Sequence, residues 1–226
     1  MTKIADKLQR VRSQLSDACR ACSRPADAVE LLAVSKTRDA TAVRQAYAAG
    51  QTAFGENYIQ EGVDKITALA DLPLQWHCIG PIQSNKTRLV AAHFDWVHSI
   101  DRLKTAQRLN EQRPADKAPL QVCIQVNIDG GSNKAGVQPD AVLELAQQIQ
   151  AMPRLRLRGL MTIPEPAPDF ASALAVHLRA RALFDAINAQ GLGLDTLSMG
   201  MTGDLDAAVQ AGSTLVRVGT AIFGER

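Results

Sequence analysis

Residues 30–57 read ELLAVSKTRDATAVRQAYAAGQTAFGEN, and the way this stretch divides decides the fold. Glu30 to Val34 is a short apolar run ending at Ser35-Lys36-Thr37, the pattern of a strand buried on both faces. Ala40 to Ala49 reads as helix and stops at Gly50. Thr52-Ala53-Phe54 is a second strand, closed by Gly55-Glu56-Asn57. Strand, helix and strand in so short a span form the crossover unit that joins parallel neighbours.

The unit repeats along the chain. Ahead of it, Ile4, Leu8, Val11, Leu15 and Ala18 fall at helical spacing, so residues 3–22 open the chain with a helix. Beyond it, Tyr58 to Ala70 is helical, Gln75 to Ile79 is a third strand ended by Gly80-Pro81, and Ser84 caps a helix to about Ala92. Phe94 to His98 is a fourth strand and Arg102 to Gln112 a helix. Leu120 to Asn127 (LQVCIQVN) is a clear strand; the polar loop Asp129 to Gly136 follows, and Pro139 starts a helix to about Ala151. Leu155 to Met161, Asp195 to Ser198 and Thr214 to Val218 complete the strands, with helices over Phe170 to Gln190 and Asp204 to Ala211 between them. The closing tail, Ala221 to Arg226, reads as packing. Eight strands alternating with helices predict an α/β protein, a single (β/α)8 TIM barrel with an extra N-terminal helix, filling residues 1–226 as one domain. An open doubly wound sheet usually has fewer strands and a Gly-rich first turn, and no G-x-G-x-x-G follows the first strand here.

Composition narrows the function. The chain has 226 residues, 46% hydrophobic and 21% charged, enough for a substantial core, and only 4% aromatic, so aliphatic side chains must fill it. With 25 basic and 23 acidic residues the net charge is +2, without the basic stripe of a nucleic-acid binder. No run of about 18 apolar residues is present, so no membrane span is expected. The start, Met-Thr-Lys-Ile-Ala-Asp, has no apolar signal core, and the expected compartment is the cytoplasm. Cys19 and Cys22 form a C-x-x-C, but late in a polar helix rather than after a strand, and no second ligand pair lies at zinc spacing. The four cysteines read as reduced thiols, and no metal site is expected.

Working residues of such barrels lie at the carboxyl ends of the strands. That rule selects Lys36, Glu56 and Asn57, Gly80-Pro81, Asn127, Met161 and Thr162, the run Ser198-Met199-Gly200-Met201-Thr202, and Arg217-Val218-Gly219-Thr220. Lys36 either snorkels to solvent or projects over the barrel mouth, where a partly desolvated amine serves as a Schiff-base nucleophile. The ends of strands seven and eight form either two capping turns or a phosphate corner. In the second case Gly200 and Gly219 admit close backbone approach, and Ser198, Thr202 and Thr220 offer hydroxyls. Arg217, inside an apolar strand, either snorkels or is held beside a polar ligand. Asn57 reads first as a helix cap, and His77 and His98 as packed residues. No carboxylate pair suited to hydrolysis is evident.

These strings, in order, resemble one family. They are Leu32-Ala33-Val34-Ser35-Lys36-Thr37, Phe54-Gly55-Glu56-Asn57-Tyr58-Ile59-Gln60-Glu61, Trp76-His77-Cys78-Ile79-Gly80-Pro81-Ile82-Gln83-Ser84-Asn85-Lys86, Arg158-Gly159-Leu160-Met161, Leu197-Ser198-Met199-Gly200-Met201 and Val216-Arg217-Val218-Gly219-Thr220-Ala221-Ile222-Phe223-Gly224. Together they resemble the pyridoxal phosphate homeostasis protein family, in register from about residue 29 to the end. One departure is Thr202-Gly203, where the family often has Ser and a polar residue; a hydroxyl is kept.

The resemblance implies a barrel like the N-terminal domain of alanine racemase, with pyridoxal 5′-phosphate (PLP) held as a Schiff base on Lys36. It implies that Ser198, Met199, Thr202, Gly219 and Thr220 lie on the segments holding the phosphate, that Arg217 faces the pyridine nitrogen, and that Asn57 lies near the ring. An arginine there disfavours protonation of that nitrogen, because like charges repel. A carboxylate would keep it protonated and strengthen the electron sink. The chain ends at Arg226, with no second domain expected to supply an opposing acid or base. The resemblance therefore implies a carrier or store for intracellular PLP homeostasis and amino-acid balance, with little or no turnover. PLP-dependent apo-enzymes are the implied partners, with neither nucleic acid nor membrane involved. Without the racemase-type second domain that usually supplies the dimer contact, a monomer is expected.

Two rival classes remain. A PLP-dependent racemase or lyase needs a second group over the ring, for which Tyr58 and Lys134 are the candidates. An aldolase-type barrel acting on a sugar phosphate would carry its lysine in a later strand, whereas Lys36 follows the first.

Overall fold

Eight parallel strands close on themselves in sequence order. They are β1 (Glu30–Val34), β2 (Ala53–Glu56), β3 (Gln75–Cys78), β4 (Trp96–Ile100), β5 (Leu120–Val126), β6 (Leu155–Thr162), β7 (Thr196–Ser198) and β8 (Leu215–Val218). β8 returns to β1 with Leu32 opposite Arg217 and Ala33 opposite Val218. Helix α1 (Lys3–Ala21) precedes the barrel. The crossovers are α2 (Ala40–Ala48), α3 (Ile59–Ala68), α4 (Thr87–His93), α5 (Leu103–Gln112), α6 (Val142–Gln150), α7 (Phe170–Asn188) and α8 (Leu205–Gln210), and α9 (Thr220–Phe223) closes the chain. This computed structural model describes residues 3–131 and 134–225; positions 1, 2, 132, 133 and 226 lie outside the described residues. Among the described residues, no helix is long and apolar enough to cross a membrane.

Successive strand residues face opposite ways, and the clusters divide accordingly. Leu31 and Ala33 join the large cluster that includes Leu8, Val11 and Leu15 of α1, the layer between strands and helices. Leu32 and Val34 group instead with Ala53, Ile79 and Leu215, and Trp96, Cys123 and Met161 form a third group; these two fill the barrel. His77, His98, Ser198 and Arg217 are buried among the same strands, so the interior carries a polar row. His77 stacks on Trp96 with ring centroids 5.1 Å apart and planes 6° from parallel. At Gly159 a Cβ would fall 1.6 Å from the Thr196 carbonyl oxygen, so β6 and β7 pair only because that position is glycine.

The element boundaries agree with the sequence reading to within a few residues, with three differences. Ser84 does not cap α4; the helix starts at Thr87, and the Ser84 carbonyl accepts from Thr87 Oγ1 and Arg108 Nη1. β4 is shifted two residues, to Trp96–Ile100, which brings His98 to the middle of the strand. The closing tail is a helical turn, α9, packed against α1, with Gly219 at its N-cap. Cys19 and Cys22 are free thiols, and among the described residues no group of three metal-ligating side chains exists.

Asp39 caps α2 by accepting the Ala42 N–H at 2.8 Å. Asp39→Ala is expected to lose about 1 kcal/mol of stability. In thermal unfolding that is a fall of about 2–4 °C in Tm; an unchanged midpoint would contradict the cap.

Candidate functional site

Lys36 sits on a backbone held from both sides. The Ser35 hydroxyl donates to Glu56 Oε1 at 2.6 Å, and Lys65 Nζ donates to both the Ser35 carbonyl and Glu56 Oε1 at 2.7 Å. On the other side the Thr37 N–H donates to Glu61 Oε1 at 2.6 Å, and Glu61 also pairs with Lys65 at 2.7 Å. Thr37 has φ +63°, a left-handed conformation that a β-branched residue adopts only when its surroundings impose it. The Glu56–Lys65–Glu61 cluster supplies that constraint. Glu56 is fully buried, and burial pushes its carboxyl above the ordinary range against the bonds from Lys65 and Ser35. The Lys36 side chain is half-buried and makes no hydrogen bond or ion pair with any described residue.

Arg217 is held inside the barrel. Its Nη1 donates to Ser198 Oγ at 2.8 Å and its Nη2 to the Thr162 carbonyl at 2.9 Å. Burial lowers its pKa to about 10, so it remains a cation near neutrality. Ser198 Oγ also lies 3.0 Å from His98 Nδ1, His98 Nε2 is 2.9 Å from His77 Nδ1, and His77 Nε2 is 3.0 Å from Gln75 Oε1. Burial depresses both imidazoles, His77 to about 3, so both are neutral.

The ends of β7 and β8 form an open corner. Gly200 has φ +97°, and a Cβ there would meet Ala208 Cβ at 2.5 Å, so the turn requires glycine. Asp204 Oδ1 accepts the Met201 N–H at 2.6 Å and its Oδ2 pairs with His177 Nε2 at 3.0 Å. Burial opposes ionisation of Asp204, but these bonds outweigh it and hold the carboxyl below its usual value. A Cβ on Gly219 would lie 3.1 Å from the Val34 carbonyl oxygen, which places Gly219 against the strand that carries Lys36. Thr220 opens α9, whose first N–H groups have no partner within the helix.

Lys36, Gly219 and Thr220 line one cleft of about 230 Å³, together with Thr37 and Arg38. Thr202 lines a different cleft, of about 500 Å³, bounded by Pro164–Phe170 and the start of α8, which shares no lining residue with the first. Met199 is buried in the outer core; its N–H donates to Leu215 and its carbonyl accepts from Ser213, so it shapes the corner without facing it. Ser198 lies below the mouth, fully buried and bonded to Arg217 and His98. Asn57 lies against Gly80, where a Cβ would come 2.2 Å from the Asn57 carbonyl oxygen. Rather than capping α3, which begins at Ile59 after Tyr58, Asn57 leaves its Oδ1 buried without a partner among the described residues. Sequence reasoning missed Glu61 and Lys65 as anchors of Lys36; their i,i+4 spacing was the available signal. A primary amine on a fixed backbone, a buried guanidinium and a corner with hydroxyl and N–H donors together suit a phosphorylated carbonyl compound.

A family model described as alanine racemase, N-terminal domain, matches residues 7–226. The alanine racemase of Corynebacterium glutamicum superposes with a TM-score of 0.70 at 19% identity, over 99% of this chain and 61% of that one, a likeness of fold. The protein is thus a parallel barrel of the alanine racemase class. The pyridoxal phosphate homeostasis protein of Pseudomonas aeruginosa is 55% identical over 226 residues, covering 100% of this chain and 97% of that one. The chain belongs to the pyridoxal phosphate homeostasis protein family. PipY of Synechococcus elongatus, solved with PLP bound, superposes with a TM-score of 0.86 at 40% identity over 98% of this chain and 100% of that one.

Proposed function

We propose that the protein binds PLP through Lys36 at the barrel mouth, and keeps and delivers it as part of intracellular PLP homeostasis. The observation that carries this reading is the Lys36 amine, without a partner among the described residues and mounted on an over-determined backbone beside the Gly219–Thr220 cleft. The residues fit the cofactor in a second respect. Asn57 Oδ1 and Thr162 Oγ1 are buried with no partner among the described residues, and such orphaned atoms mark places where a polar ligand belongs. When bound, PLP supplies an aldehyde that a lysine amine engages covalently and a ring that withdraws electrons.

The chain's own residues then have distinct tasks. Lys36 binds the aldehyde. Thr202, Thr220 and the backbone at Gly219 would hold the phosphate, with Ser198 and Met199 shaping that corner from below. Arg217 would present its charge toward the pyridine nitrogen, and Asn57 would lie near the ring. A fixed cation at that nitrogen disfavours its protonation and weakens electron withdrawal. The rival racemase or lyase reading needs a second group over the ring, for which Tyr58 and Lys134 are the candidates. Tyr58 is 54% exposed, and Lys134 pairs with Glu165 at 3.1 Å. We read residues 1–226 as one cofactor-binding barrel, a cytoplasmic monomer that passes PLP to apo-enzymes.

The test is to load the protein with PLP and follow two reactions. Transfer should restore activity to a PLP-free enzyme within the assay. L-alanine incubated with stoichiometric loaded protein should yield no more than one equivalent of D-alanine. Many turnovers of D-alanine, or a cofactor that never leaves, would refute the carrier reading.

A further inference from the structure

The polar row inside the barrel takes its direction from its Gln75 end. Gln75, exposed at the amino end of β3, presents Oε1 to His77 Nε2 at 3.0 Å, so that nitrogen donates and the neutral His77 ring leaves Nδ1 as an acceptor. His98 Nε2 then donates to His77 Nδ1 at 2.9 Å, and the neutral His98 ring leaves its own Nδ1 as an acceptor. The Ser198 hydroxyl donates to that Nδ1 at 3.0 Å. Arg217 has only donors to offer, and its 2.8 Å contact, in which Ser198 Oγ accepts, agrees with that order. The charged group facing His98 is Arg217; Trp96 stacks on His77 and carries the Arg158 guanidinium over its ring at 4.7 Å, and Cys123 is a further buried titratable group, near Arg158, Asp195 and Arg217.

We infer that His98, backed by His77 and Gln75, is a positioning residue for Arg217, acting through the Ser198 hydroxyl. By accepting a hydrogen bond from the Ser198 hydroxyl, His98 leaves that oxygen's lone pairs to the arginine and keeps the guanidinium in one orientation. Ser198 is therefore committed to the arginine and has no hydrogen to donate to a phosphate. Trp96 fixes the plane of His77, so the relay cannot swing away. The role toward PLP rests on the proposed cofactor reading; the direction of the relay does not.

Two measurements test it. Long-range ¹H–¹⁵N spectra of the ligand-free wild type report the imidazole tautomers directly. His77 and His98 should both appear as Nε2–H forms that do not titrate between pH 5 and 8. An Nδ1–H form at either ring, or titration in that range, would overturn the relay whether or not PLP binds.

The second measurement is the PLP dissociation constant of three proteins by equilibrium dialysis. His98→Leu removes both links and should weaken binding about tenfold, the equivalent of about 1.4 kcal/mol. His98→Gln keeps an acceptor for Ser198 and a donor for His77, and should recover most of that loss. A merely space-filling His98 would give the opposite order, with leucine the better replacement, and would overturn the positioning role. If His98→Leu does not fold, the wild-type tautomers still decide the matter. Failure of the wild type to bind PLP would sink the cofactor reading and leave the tautomer result standing.

Discussion

Lys65→Met should destabilise the barrel by about 3–5 kcal/mol, because it leaves the buried Glu56 carboxylate without its cation. Lys65 is 5% exposed and bonds Glu56, Glu61 and the Ser35 carbonyl, so three acceptors lose one donor. At about 2–4 °C per kcal/mol for a chain of this size, Tm falls by roughly 6–20 °C. The deficit also depends on pH. In the wild type, burial already raises the Glu56 pKa above its ordinary 4.5, and without Lys65 it rises further. A carboxyl with a raised folded pKa binds more protons folded than unfolded, so stability falls as pH rises. The loss in Lys65→Met should therefore be smallest near pH 4.5 and grow toward neutrality, up to the raised value. Denaturant unfolding at several pH values checks this. A deficit that shrinks with rising pH would contradict a buried, paired Glu56.

Lys36→Ala should show the reverse balance. The Lys36 side chain bonds to no described residue, so its removal should change stability by no more than about 0.5 kcal/mol. PLP binding, however, should weaken at least about a hundredfold, the equivalent of about 2.8 kcal/mol, because the covalent partner of the aldehyde is gone. Comparing Tm with the dissociation constant separates the two lysines. Lys65 holds the loop and Lys36 uses it. Retained affinity in Lys36→Ala would place the aldehyde's partner elsewhere.

Much of this was legible in the sequence because parallel barrel strands are buried on both faces and stand out as apolar runs between helices. The strand-end rule then selected Lys36 and Arg217 by position; in the structure Lys36 lies two residues past the end of β1, and Arg217 lies within β8, opposite Leu32. What escaped depends on register and on contacts across elements. His77 and His98 lie 21 residues apart, and their meeting follows from β3 pairing with β4 as His77 opposite Trp96, which no local pattern predicts. Glu56 sits in a turn-like Gly-Glu-Asn string but is fully buried, because α3 turns Lys65 back over it. Ser198 reads as a free hydroxyl at a strand end, yet its neighbours Arg217 and His98 engage it from both sides. α9 is four residues long, too short for periodicity to reveal.

The most direct test of the central claim is to add PLP to the purified protein, reduce it with borohydride, and map the modified peptide by mass spectrometry. A single pyridoxyl group on Lys36 is the expected result, with a yellow colour before reduction and none after. Modification of Lys65, Lys134 or scattered surface lysines with Lys36 left free would contradict it, as would a protein that stays colourless in excess PLP.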